Sequence, residues 1–118
     1  MPVYPSRKVP MRRTPFRPDT LDAIANRFKV LAEPARLHVL NQLRKGPLNV
    51  SELMAATKLN QANLSKHLQL LHSHGFVARR RDGLFVVYEL ADKSVFALCD
   101  IMCSQLERRG SDLRKAVR

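Results

Sequence analysis

The residues of this 118-residue chain that could do chemistry fall into three groups. The first lies in "NQANLSKHLQLLHSHG", residues 60 to 75. Leu64, Leu68 and Leu71 recur at helical spacing and make a buried stripe. At about 100° per residue, Ala62, Ser65, Lys66 and Gln69 point the other way. That face is small and polar, with a single lysine, where a solvated surface helix usually carries Glu and Lys together. With Gln61 and Asn63 it offers hydrogen-bond donors and acceptors but no paired acid and base. His67, on the shoulder of the stripe, reads as packed or bonded to backbone or phosphate in preference to a metal ligand. The second group is Arg79, Arg80 and Arg81. In a strand, alternate residues face opposite ways, so Arg79 and Arg81 share one side and Arg80 takes the other. The third is Cys99 and Cys103, four apart and therefore neighbours on one helix face. They read first as small buried hydrophobes. A thiolate site for a soft metal or arsenite, or a redox switch, is the alternative. His38, His72 and His74 suggest no metal site, since His72 and His74 are two apart and do not face each other.

Charge narrows the chemistry. Lys and Arg total 21 against 10 acidic residues, a net charge of +11. Such an excess in so short a chain points to a polyanion, most often nucleic acid, as partner. Two cysteines are too few for a disulfide framework. No apolar run approaches the ~20 residues of a membrane span, and no leader pattern is visible, so a soluble cytoplasmic chain is expected. No nucleophile–base pair or ligand cluster stands out beyond the two cysteines, which speaks against an enzyme.

These residues need elements to position them. Residues 1 to 18 hold five prolines and five basic residues with no acidic one, the composition of a disordered basic arm. The folded part is expected over 19–110, with a basic tail at 111–118. Asp19 is the expected cap of a first helix whose apolar stripe is Leu21, Ile24, Ala25, Phe28 and Leu31. In "AEPARLHVLNQLRKG", Pro34 suits a first-turn position and Gly46 a stop, with Leu37, Leu40 and Leu43 facing the core. "NVSE", Asn49 to Glu52, has capping-box spacing before the short helix "SELMAAT". "KLN" is a tight turn, Asn60 caps the next helix and Gly75 ends it. "FVARRR" and "LFVVYEL" about an Asp-Gly dipeptide predict a hairpin, and a last helix runs from about Lys93 to Arg109. A short helix, three residues and a second helix make a helix-turn-helix, and the hairpin behind it makes a wing. The smooth face then suits a major groove, where long acidic side chains would be excluded.

Four stretches resemble the arsenic-repressor (ArsR/SmtB) family of winged-helix transcriptional regulators: "FKVLAEPARLHVLNQL", "SELMAATKLNQANLSKHLQLLHSHGFV", "RRRDGLFVVYEL" and the closing helix. They cover roughly residues 20 to 106. Gln61, Leu64, Ser65, His67, Leu68 and Leu71, then Gly75, Arg80, Gly83 and Tyr88, are specific in combination. The resemblance implies a homodimer joined by the first and last helices, bound to an imperfect palindrome, and usually a repressor released by an inducer. Family metal sites are not matched. Met54 and Ala56 stand where one site uses cysteines. Asp92 is present for another, but Ser94 stands in place of its histidine and no histidine follows.

The last helix supports a dimer on its own. Val95, Phe96, Leu98, Cys99, Ile101, Met102, Cys103 and Leu106 cover about 220° of arc, whereas one-sided packing needs a stripe of ~100° or a little more. The expectation is therefore a mainly α winged helix-turn-helix with a two-stranded wing, a homodimer that binds double-stranded DNA. Gln61, Asn63, Ser65, Lys66, His67, Gln69, Arg79 and Arg81 are the candidate DNA contacts. Leu21, Phe28, Val95, Leu98, Met102 and Leu106 are the candidate interface. No cofactor and no membrane are expected, Cys99 and Cys103 are the one candidate thiolate pair, and an inducer is left open. The alternatives are a non-specific architectural DNA-binding protein and a thiol or soft-metal sensor.

Overall fold

The computed structural model describes residues 13 to 110, so the expectations for most of the basic arm and for the tail at 111–118 lie outside the described residues. The elements run α1 (Pro18–Leu31), α2 (Pro34–Leu43), β1 (Leu48–Asn49), α3 (Val50–Thr57), α4 (Gln61–Ser73), β2 (Val77–Asp82), β3 (Phe85–Leu90) and α5 (Ser94–Arg109). Phe16–Asp92 is one compact unit, and α5 belongs to a second.

The first helix opens on Pro18, whose missing N–H is no loss at a helix start. Arg17 is its N-cap and gives no side-chain bond. Asp19 is therefore not the cap it was expected to be. It sits in the first turn, where Oδ1 accepts from the Thr20 N–H at 2.9 Å and Oδ2 from Arg17 at 3.3 Å. Of the expected stripe on α1, Ile24 and Leu31 are half-buried and Ala25 is exposed. Leu21 and Phe28 stay 50% and 53% exposed, and the buried residue is Val30.

Pro34 does begin α2, behind Glu33, whose carboxylate accepts from the Ala35 N–H at 3.1 Å. Leu37 is exposed instead of facing the core. It lies about 110° around the helix from the mean direction of Val39, Leu40 and Leu43, and these three are buried. They meet Leu53 of α3 and Leu64, Leu68 and Leu71 of α4, with Phe76, Val77 and Tyr88 from the sheet side. Burial of these side chains, at about 1.5–3 kcal/mol each, is the main favourable term holding the three helices and the sheet together.

The sheet has three strands in the order β1-β3-β2, one more than the expected hairpin. Leu48 pairs with Tyr88 and Asn49 with Val87, both antiparallel. A two-residue strand that ends where a capping box begins is too short to show a period of two. In the hairpin Val77 pairs with Leu90 and Asp82 with Phe85. The loop is thus Gly83–Leu84, one residue later than Asp-Gly. Gly83 has φ +64°, and Leu84 does not have a positive φ, the pattern of a type II′ turn with glycine first.

In α5, Val95 is buried within this single chain, Leu106 is half-buried, and Leu98 and Met102 are 44% and 61% exposed. Cys99 and Cys103 are not joined in a disulfide, and both are half-buried. Arg108 and Arg109 in its last turn match the negative end of the helix dipole.

Candidate nucleic-acid interface

The pair α3 and α4 is built by local chemistry at each end. Asn49 and Glu52 form a reciprocal capping box, each backbone N–H reaching the other's side chain at 2.8 Å. The far end of α3 turns through Lys58, which adopts left-handed backbone at φ 62°, and its N–H bonds the Met54 carbonyl at 2.8 Å. A non-glycine residue seldom takes this conformation. Here it lets the chain reverse in the three residues before α4. The buried Thr57 hydroxyl donates to the Leu53 carbonyl at 2.6 Å and accepts from the Leu59 N–H at 3.4 Å, bracing the same turn. Asn60 then caps α4, accepting from the Asn63 N–H at 2.8 Å.

The end of α4 is equally specified. Gly75 has φ +77°, its N–H bonds the His72 carbonyl at 3.0 Å, and the Phe76 N–H bonds Leu71 at 2.9 Å. This pair of bonds is a Schellman stop. With both ends set and the leucine stripe buried, rotation of α4 about its axis is settled. Gln61, Ala62, Asn63, Ser65, Lys66 and Gln69 are all exposed. Among the described residues, no hydrogen bond or ion pair engages the side chains of Gln61, Ser65, Lys66 or Gln69.

His67 is half-buried on the shoulder of α4. Its Nδ1 lies 3.2 Å from NH1 of Arg36 in α2. His38 is exposed, and His74 turns its Nδ1 to the Leu70 carbonyl at 3.1 Å. No three His, Cys, Asp or Glu side chains gather into a metal-binding group among the described residues.

The wing follows directly. Arg79, Arg80 and Arg81 are exposed on β2. Arg80 is tied to Glu89 at 3.5 Å, whereas Arg79 and Arg81, on the opposite side of the strand, form no ion pair among the described residues. At the tip, Leu84 is 93% and Phe85 55% exposed, an apolar point that the arginine-centred reading overlooked.

Two residues that brace the interface escaped the sequence reading. Arg36 is one. Arg27 of α1 is the other: it donates to the His74 carbonyl at 2.7 Å, pairs with Asp92 at 3.2 Å and stacks 4.1 Å over the Phe76 ring. It fastens the close of α4 to α1. Its partners lie up to 65 residues away, so no local pattern announces them.

Comparison with known proteins agrees with this geometry. Residues 33–79 match the model of the bacterial regulatory protein arsR family. The chain is 40% identical over 77 residues to the HTH-type transcriptional regulator NmtR of Mycobacterium tuberculosis, covering 65% of this chain and 64% of that protein. The match thus spans a little under two thirds of NmtR. A crystal structure of Mycobacterium tuberculosis Rv0081 superposes with a TM-score of 0.70 at 33% identity, covering 87% of this chain and all of that one. The solution structure of the homodimeric winged helix-turn-helix DNA-binding domain of Mb0332 from Mycobacterium bovis gives 0.69 at 31% identity, over 85% and 96% of the two chains. This chain belongs to the arsR family of bacterial regulatory proteins, a family of transcriptional regulators and not of enzymes. No helix among the described residues is long and apolar enough to cross a membrane.

Proposed function

We propose that the protein is a homodimeric repressor that binds double-stranded DNA at a palindromic operator. The carrying observation is the exposed polar face of α4, where the side chains of Gln61, Ser65, Lys66 and Gln69 make no hydrogen bond or ion pair among the described residues, together with Arg79 and Arg81 of β2, which form no ion pair there either. Gln61, Asn63, Ser65, Lys66 and Gln69 enter the major groove, His67 bonds the flank, and Arg79 and Arg81 meet phosphates or the minor groove. The dimer reading rests on the exposed apolar residues Leu21 and Phe28 of α1 and, separately, Leu98 and Met102 of α5, together with the half-buried Leu106. Val95, buried in the single chain, adds little surface to it. Two copies place their reading heads ~34–36 Å apart, one turn of DNA.

The test is a selection from random duplexes, followed by affinity for the selected duplex and for random DNA at one salt concentration. A ratio of roughly a thousandfold or more is expected for a specific reader. A ratio near one would mean an architectural, non-specific protein. Lys66→Ala and Gln61→Ala should each lose about 1–3 kcal/mol where the side chain meets a base edge, while the melting temperature holds.

A further inference from the structure

Arg36 makes two kinds of contact. Its Nε donates to the Val30 carbonyl at 2.6 Å, and NH2 donates to the Lys29 carbonyl at 3.4 Å, which also accepts from the Ala32 N–H at 3.3 Å; both carbonyls lie in the last turn of α1. These contacts pin α1 to α2. The third reaches into the reading helix, from NH1 to Nδ1 of His67. A guanidinium has only N–H groups to give. Nδ1 is therefore the acceptor, and the ring proton belongs on Nε2. Among the described residues nothing takes that Nε2–H. His67 lies one turn beyond Asn63, on the flank between the buried leucines and the groove face, where contacts to DNA usually reach the backbone and set register.

We infer that Arg36 is a positioning residue for DNA binding: it holds His67 in the tautomer that presents Nε2–H, as an uncharged donor, to an oxygen of the DNA backbone. This role rests on the DNA reading proposed above. It carries a signature that a merely structural arginine lacks. An uncharged donor releases no counterion, so losing it lowers affinity at every salt concentration and leaves the salt slope unchanged. Loss of Lys66 or Arg79 at a phosphate lowers the slope instead.

The experiment has two arms on the full chain. In the first, long-range proton–nitrogen correlation of the imidazoles identifies the tautomer without DNA. The wild type should show Nε2–H for His67, and Arg36→Lys and Arg36→Met should show a mixture. In the second, affinity is measured for the duplex that the wild type selects. His67→Ala and Arg36→Met should each cost about tenfold, the double variant no more than either, and the slope should hold. In a His67→Gln background, where the donor needs no tautomer, Arg36→Met should cost nothing further. If Arg36 variants fail to fold, the wild-type tautomer and His67→Ala still decide. A His67 found as Nδ1–H, losses that multiply in the double variant, or an intact affinity in His67→Ala each overturn the role. A wild type that prefers no duplex defeats the DNA reading itself, and this role with it.

Discussion

The helices α1 and α4 are nearly equal in length, and each carries an apolar stripe at helical spacing, yet the structure treats them in opposite ways. α4 buries Leu64, Leu68 and Leu71 and turns polar side chains outward. α1 buries Val30 and leaves Leu21 and Phe28 half in solvent. An outward polar face is content in water and ready for base edges. An outward face holding two large apolar side chains asks for another protein surface, and a symmetric copy is the simplest one. Periodicity says which face of a helix is apolar. It does not say what covers that face.

The contrast can be broken most severely from the inside. Leu68→Ala should cost about 2–5 kcal/mol, because the site is enclosed and the removed atoms leave a cavity. Urea unfolding should show it as a lower midpoint with the slope unchanged. A loss below 1 kcal/mol would mean that α4 is not anchored by its stripe. Phe28→Glu tests the other helix. Its side chain is largely outside the single-chain core, so the fold should survive while the dimer weakens at least tenfold, read by sedimentation or light scattering at micromolar protein. An unfolded product would place Phe28 in the core, and an unchanged dimer would remove α1 from the interface. The mildest change is Asn60→Ala. Losing the single side-chain cap of α4 should cost ~1 kcal/mol and fray its first turn, seen as faster amide exchange at Gln61 to Asn63. Equal protection in both proteins would show that packing alone holds the helix start.

These helices also mark what could be read from the residues alone. Asn60, the Asn49–Glu52 box and Gly75 were legible because capping is local, its partners lying within a few positions. The leucine stripe of α4 was legible for the same reason, one period repeated. Leu37 and Asp19 were misplaced where two neighbouring positions offered similar chemistry and tertiary packing chose between them. The third strand escaped notice because two residues carry no periodicity. Arg36 and His67 are 31 residues apart, and a bond across that span has no signature until the chain is folded. The candidate DNA contacts were thus named from their own helix, whereas the residues that steady them come from elsewhere.

The strand order has one more consequence. With β3 in the middle, β2 is an edge of the sheet, and an edge strand presents a row of amide and carbonyl groups with which another extended chain can pair. Three consecutive arginines occupy that edge, and two copies of it brought side by side would face like charge against like. The same guanidinium groups that suit a phosphate also keep the protein from stacking on itself edge to edge. A wing stripped of its arginines to weaken DNA binding would keep Asp82 as the one charge on β2, beside the apolar tip of Leu84 and Phe85, and would gain a route to aggregation.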